Sequence, residues 1–156
     1  MISIREFRDG DEVECSRVLK RAFEWYMKLP GSQWLEKKLS PENVRKSALD
    51  GITMVAVEGD SIVGCVNFTI SDYNAAYVSI IGVLPEYSRR GIGSLLLEET
   101  ERLCSERGVR KIWLMVSHIN HAAILFYLKH NYEIAGFLKN MTLNGVHEVI
   151  MAKDLR

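Results

Sequence analysis

"SIIGVLPEYSRRGIGSLLLEET", residues 79–100, decides how the rest of the chain is read. An apolar strand-like run ends at Leu84, a loop brings Arg89, Arg90, Gly91 and Gly93, and an amphipathic run follows. Gly91 and Gly93 can take backbone angles that aim successive amides at one point, and a helix opening there presents unpaired N–H groups and its positive dipole end. Arg89 and Arg90 add charge suited to a diphosphate. A plain loop-to-helix junction with two solvated arginines fits the same letters, because short glycine motifs often arise by chance. The surrounding sequence has to decide.

Upstream, Gly82 interrupts an otherwise apolar strand, where glycine marks a bulge or the close approach of another backbone or a ligand. A strand edge with unpaired amides there suits a linear, amide-containing ligand. Downstream, "NHAAILFY", residues 120–127, spaces Asn120, Ala123 and Tyr127 at i, i+3 and i+7. That spacing puts an amide, a small residue and a phenol on one helix stripe, although a stripe of this kind also reads as ordinary core. Two familiar phosphate motifs fail. GxxxxGK[ST] is absent, and Leu96 stands where a dinucleotide fingerprint needs its third glycine.

Outward from the loop, Ile2 to Phe7 alternates as a strand, and Asp9 with Glu12 reads as a capping box opening a first helix. Ser40-Pro41 starts a second helix that closes at Asp50-Gly51. Ile52–Glu58, Ile62–Ile70 and about Ala76–Leu84 form an antiparallel meander, turned at Gly59-Asp60 and at Asp72-Tyr73-Asn74. Gly91–Glu106 is a helix with Ile92, Leu96, Thr100 and Leu103 on one face, a Glu98/Arg102 pair on the other and Gly108 as its stop. Lys111–Val116 is a strand, Asn120–Asn131 a helix, and Tyr132–Lys153 a hairpin turned at Asn144-Gly145.

The expected order is β-α-α-β-β-β-α-β-α-β-β, an α/β (α+β) fold with a mixed, mostly antiparallel sheet. The strand–helix–strand unit from Ala76 to Val116 should make its two strands parallel neighbours by a right-handed crossover. Ligands then belong at their C-terminal ends, at Pro85–Arg90.

A chain of 156 residues, 47% hydrophobic and 26% charged, with no repeat or linker-like tract, reads as a single domain over 1–156. Lys plus Arg equals Asp plus Glu at 20 each, so no global field draws in nucleic acid or an anionic membrane. No apolar run approaches the roughly 18 residues of a membrane span, and the expected location is cytoplasmic. Cys15, Cys65 and Cys104 are odd in number, lack CxxC spacing and sit in apolar patterns, as buried reduced thiols do. His118 and His121 lack a third ligand in view and make a poor zinc site, so no metal is expected.

The loop, the strand glycine and the stripe together resemble the GNAT superfamily of acetyl-CoA-dependent N-acetyltransferases, over nearly the whole chain and least in the first 50 residues. "GVLPEYSRRGIGSLLL" is similar to the family's acetyl-CoA loop, [QR]xxGx[GA], and "NHAAILFYLKHNYEIAG" to its NxxAxxxYxxxGF segment. The resemblance implies a coenzyme A site at Gly82, Val83, Leu84, Ser88, Arg89, Arg90, Gly91, Ile92, Gly93, Ser94, Asn120, Ala123 and Tyr127. Val83 and Leu84 would bond the pantetheine arm and thioester carbonyl, Arg89 to Ser94 would cradle the pyrophosphate, and Asn120 would reach the pantetheine arm. Two departures stand out: Ser88 replaces Gln or Arg, and Asn131-Tyr132 replaces Gly-Phe. A homodimer is a further expectation from the resemblance.

Acyl transfer to an amine needs a neutral amine, a polarised carbonyl and a proton for the departing thiolate. Strand amides near Gly82 and Val83 suit the oxyanion, and the phenol of Tyr127, held against the sulfur, can act as general acid. The base is not evident: the third meander strand offers only Tyr77 and Ser79 as polar side chains. Phe23, Glu24, Tyr26, Ser79 and His118 are candidates for the acceptor side. A non-catalytic acyl-CoA sensor on the same fold is the competing expectation, motivated by the missing strand carboxylate, and the amine acceptor cannot be read.

Overall fold

The Arg5 guanidinium settles how the chain leaves its first strand. In the computed structural model, which describes residues 1–156, Arg5 holds both oxygens of Asp11 at 2.8 and 3.2 Å, and the Arg8 N–H adds 2.7 Å. Arg5, and the Arg8 amide with it, hold the Asp11 carboxyl below the usual carboxylate range despite its partial burial. The expected Asp9/Glu12 capping box is therefore not formed. Asp11 is the N-cap without capping with its side chain, and Glu12 accepts from the Gly10 N–H at 2.9 Å.

The elements are β1 (Ile2–Glu6), α1 (Glu12–Ala22), α2 (Glu24–Met27), α3 (Gln33–Lys38), α4 (Pro41–Asp50), β2 (Ile52–Glu58), β3 (Ser61–Ile70) and β4 (Ala75–Val83). They continue with a 3-10 turn (Pro85–Tyr87), α5 (Ile92–Glu106), β5 (Lys111–Ser117), α6 (His121–Lys129), β6 (Glu133–Leu143) and β7 (Val146–Asp154). One sheet of seven strands runs β1-β2-β3-β4-β5-β7-β6. The expected order holds, with α2 and α3 added. At four and six residues those helices are too short to show a period.

Backbone contacts divide the chain into two compact units, Met1–Thr69 with Val78–Leu103, and Ile70–Tyr77 with Cys104–Arg156. In the first, β1, β2 and β3 are antiparallel, with Ile4 opposite Ala56 and Met54 opposite Val66. Val18, Val55, Val66, Phe68, Leu96 and Leu97 are fully buried there. Asn67 reads as polar in an apolar strand, and its amide donates to Thr53 Oγ1 at 3.0 Å and to the Ser47 and Ile52 carbonyls. The Ser40 hydroxyl caps α4 as expected, accepting from the Asn43 N–H at 3.3 Å. On α5 the ion pair differs from expectation: Arg102 takes both oxygens of Glu99, three residues back, rather than Glu98.

In the second unit, Ala75–Tyr77 runs parallel to Lys111–Trp113, as the crossover requires. β5 and β6 each pair antiparallel with β7, with Ser117 opposite Glu148 and Leu138 opposite Glu148. Ile112, Leu114, Tyr132 and Met151 form its core. All three cysteines are buried free thiols, and no helix is long and apolar enough to cross a membrane.

Gly51 ends α4 where β2 begins, and a Cβ built there would lie 2.7 Å from the Phe68 carbonyl oxygen and 2.9 Å from Thr69 Cγ2. Gly51→Ala must displace backbone, so chemical denaturation should show a loss of about 1–3 kcal/mol. An unchanged midpoint would mean that the junction of α4 and β2 yields freely.

Candidate functional site

β4 does not alternate cleanly to its end. Ser79 Oγ donates to Asn67 Oδ1 at 2.6 Å, so it faces the side where Asn67 meets α4. Three residues later, a Cβ on Gly82 would lie 3.0 Å from Leu19 Cδ2 and 3.1 Å from Ala22 Cβ, on α1. Since α1 and α4 pack together, two residues an odd number apart point to one face, and the strand's pleat is broken between them. Gly82 is thus explained by the close approach of α1. Leu84 leaves the strand with its N–H committed to the Val63 carbonyl at 2.8 Å, so it offers no free amide.

The loop that follows is held by Glu58 at the end of β2. The Tyr87 hydroxyl donates to Glu58 Oε1 at 3.0 Å and Arg90 donates to Oε2 at 2.9 Å, while the Arg90 guanidinium lies 4.8 Å from the centre of the Tyr87 ring. Tyr87 and Arg90 together hold the Glu58 carboxyl below its usual range. Arg21 pairs with Glu86 at 2.6 Å on the same loop. Sequence reading missed this clamp, because Glu58 is 29 and 32 residues from its partners. It also gave Arg90 to phosphate, whereas the structure turns that side chain onto Glu58.

Between these braces the backbone takes an unusual shape. Arg89 sits at φ 64° and Gly91 at φ 77°, both left-handed, with Arg90 between them. For an arginine this conformation costs about 1–2 kcal/mol, and the clamp is what sustains it. Left-handed residues set among right-handed ones turn successive N–H groups toward one concavity. The Leu95 N–H is the first of α5 to bond back, to the Gly91 carbonyl at 3.0 Å, so the amides of Ile92, Gly93 and Ser94 belong to the unpaired first turn. Nothing lies within 4 Å of a Cβ built on Gly91. Ser88, Arg89 and Arg90 are exposed, Gly93 and Ser94 half-buried and Ile92 buried. Arrangements of this kind bind phosphate.

On α6 the expected stripe is present with one change. Asn120 is the N-cap rather than the first helical residue, and its Oδ1 accepts from the Ala123 N–H at 3.2 Å. Tyr127 is 6% exposed, edge-on to Phe126 at 5.1 Å and to Tyr132 at 5.5 Å. Burial pushes its phenol well up. The Asn131 departure explains itself: it takes φ 68°, the left-handed helix stop that glycine usually fills, and the Tyr132 N–H reaches back to the Tyr127 carbonyl at 3.0 Å.

The acceptor-side candidates divide. Tyr26 is buried with its ring edge-on to Trp25 and Trp34, and Phe23 ends α1 with its ring facing Gly82. Glu24 is exposed at the start of α2. Ser79 is spent on Asn67, whereas His118 is half-buried and stacks on His147 at 4.7 Å.

The profile of the Acetyltransferase (GNAT) family matches residues 19–132. The chain belongs to that family. Among curated GNAT relatives and other similar proteins, an uncharacterized protein of Bacillus subtilis, YdhI, is 30% identical over 67% of this chain and 63% of its own length. A spermidine N(1)-acetyltransferase of Thermoplasma acidophilum is 24% identical over 85% of this chain and 89% of its own length. The PaiA N-acetyltransferase of Thermoplasma acidophilum, solved in complex with coenzyme A, superposes with a TM-score of 0.86, 21% identity and 99% of both chains covered. The ribosomal-protein-S18-alanine N-acetyltransferase of Escherichia coli superposes with a TM-score of 0.81 and 21% identity over 99% of this chain and 94% of that one. At these identities the superpositions establish the GNAT fold.

Gly91 and Gly108 are both left-handed with open space where a Cβ would go. Gly91→Ala and Gly108→Ala should each cost about 1 kcal/mol of stability by strain. Only Gly91→Ala should weaken the binding of inorganic pyrophosphate by calorimetry; equal effects of the two would remove the loop from the anion site.

Proposed function

We propose that this chain, as one N-acetyltransferase domain over 1–156, transfers an acetyl group from acetyl-CoA to a primary amine by direct attack in a ternary complex. The observation that carries the reading is the left-handed Arg89/Gly91 turn opening α5, with its free first-turn amides. A strained arginine conformation braced by two hydrogen bonds to Glu58 is costly for an idle loop and apt for a diphosphate. Acetyl-CoA supplies the activated acyl group as a thioester.

This chain's residues would divide the work as follows. The amides of Gly91 to Ser94 and the Arg89 side chain hold the pyrophosphate, with Arg90 as the brace that keeps the turn in shape. Backbone at Gly82 and Val83 lines the pantetheine arm, and the side-chain amide of Asn120, whose oxygen caps α6, has its nitrogen to offer. Ser88 lacks the reach of the family's Gln or Arg, which lowers affinity by one side-chain contact in a site made mostly of backbone.

Tyr127 gives its proton to the departing thiolate. Burial is the cause of its phenol's upward shift. A phenol pushed upward is a weaker acid in isolation, yet a thiolate formed beside it is desolvated too, and the two effects offset. For the acceptor, the named activities of the relatives favour polyamines and peptide N-termini, followed by aminoglycosides; lysine side chains are a further class of primary amine.

Calorimetry with acetyl-CoA should give a dissociation constant in the micromolar range, and thiol release should follow with spermidine, an alanyl peptide or kanamycin. Absence of binding at millimolar ligand would remove the proposal. Binding without turnover on any of the amines would make the chain an acyl-CoA sensor. Tyr127→Phe should lower kcat by about 10²-fold while leaving acetyl-CoA affinity within twofold.

A further inference from the structure

Glu148 is a carboxylate buried inside a strand. It is 6% exposed in β7, and a single hydrogen bond, from the Thr142 hydroxyl of β6 at 3.3 Å, reaches it. No lysine or arginine contributes to its electrostatics; His118 is the basic group acting on it. A buried carboxylate without a cation is a burden on the fold, and such groups cluster where function needs them.

One of its neighbours also lacks a partner. Ser117 lies directly opposite Glu148 in the β5–β7 ladder, so the two side chains share a face, and Ser117 Oγ is buried with no hydrogen-bond partner. At the end of β5, His118 Nδ1 accepts the His147 N–H at 2.9 Å, which leaves the ring proton on Nε2. From β4, Tyr77 stands half-buried against Trp113 with ring centres 4.4 Å apart, and burial together with the Glu148 charge pushes its phenol up. The cluster lies wholly within the second unit, and half-buried His118 and Thr142 form its rim.

A group that brings positive charge and several N–H donors would complete this set. Building on the acetyl-transfer reading, we propose that Glu148 receives the ammonium of the acceptor amine, with Ser117 Oγ as a second hydrogen-bond acceptor, and removes its proton. The N–H bond breaks with its electron pair left on nitrogen, an O–H bond forms on Glu148, and the free amine is ready to attack. Passing the proton on to solvent water restores the carboxylate. The carboxylate missing from β4 is thereby replaced by one three strands later in the chain.

The chemistry of the site agrees. Burial raises the Glu148 carboxyl above the usual carboxylate range, opposed in part by Thr142 and His118, which moves it toward a useful base. This carboxylate is protonated in acid, so activity should fall at low pH along a limb that belongs to Glu148. Replacing it with glutamine keeps the shape and the Thr142 hydrogen bond while removing the charge.

Two measurements on the full chain test this. With 13C-carboxyl-labelled glutamate, the Glu148 resonance, assigned by its loss in Glu148→Gln, should move on adding n-propylammonium chloride and stay still with sodium chloride at equal ionic strength. With spermidine or the alanyl peptide as acceptor, Glu148→Gln should lower kcat/KM at least tenfold and lose the acid limb, with acetyl-CoA affinity within twofold of wild type. A resonance indifferent to the ammonium ion overturns the assignment, as does a variant with wild-type kcat/KM and pH profile. An ammonium-dependent shift in a wild-type protein that acetylates none of the amines would sustain the cation site and sink the transferase reading instead.

Discussion

The close approach of α1 to β4 at Gly82 is the constraint on which the candidate site depends. A methyl group there would lie 3.0 Å from Leu19 Cδ2 and 3.1 Å from Ala22 Cβ, so α1 would have to give by a few tenths of an ångström to admit it. The same approach coincides with the break in the strand's pleat between Ser79 and Gly82. From that break the chain runs through Leu84, tied to Val63, into the loop clamped on Glu58. Helix packing, strand irregularity and loop conformation form one sequence of cause and effect inside the first unit. A larger residue at Gly82 would act on the loop through all of these steps.

Much of this architecture was legible because each piece carried its own local signal. Strands flagged by alternation and turns flagged by Gly59, Asn74 and Gly145 fell within a residue or two of their observed bounds. The Ser40-Pro41 start depended on an N-cap hydroxyl and a proline, both readable in place. What failed to show depended on partners distant in sequence. Arg5 captured Asp11 and undid the capping box, Glu58 captured Arg90, and Glu99 rather than Glu98 captured Arg102. Charged side chains reach far and choose among several partners, so spacing alone does not identify the one they take.

The site shows the same division. The glycine loop and the Asn120/Tyr127 stripe stood out because glycines, an N-cap amide and a phenol occur at fixed offsets along one segment. Glu148 did not, since one carboxylate in "VHEVIM" looks like the polar member of an ordinary hairpin strand. It is buried in a strand flanked by β5 and β6, and only the ladder reveals that it lies opposite Ser117. A polar residue at an inward register position leaves no trace in the composition of its own segment.

The two adjacent arginines of the loop, alike as letters, have separate duties. Arg90 is neutralised by Glu58, and Arg89 is left as the net charge beside the start of α5, where the helix end adds roughly half an elementary charge. An anion arriving there meets about one and a half positive charges rather than the two and a half suggested by the sequence. In a protein whose acidic and basic residues balance at 20 each, attraction beyond the Debye length of about 8 Å is negligible. On the proposed reading, selectivity at the loop would come from the fit of directed amides at close range, and capture of the anion would owe little to long-range steering.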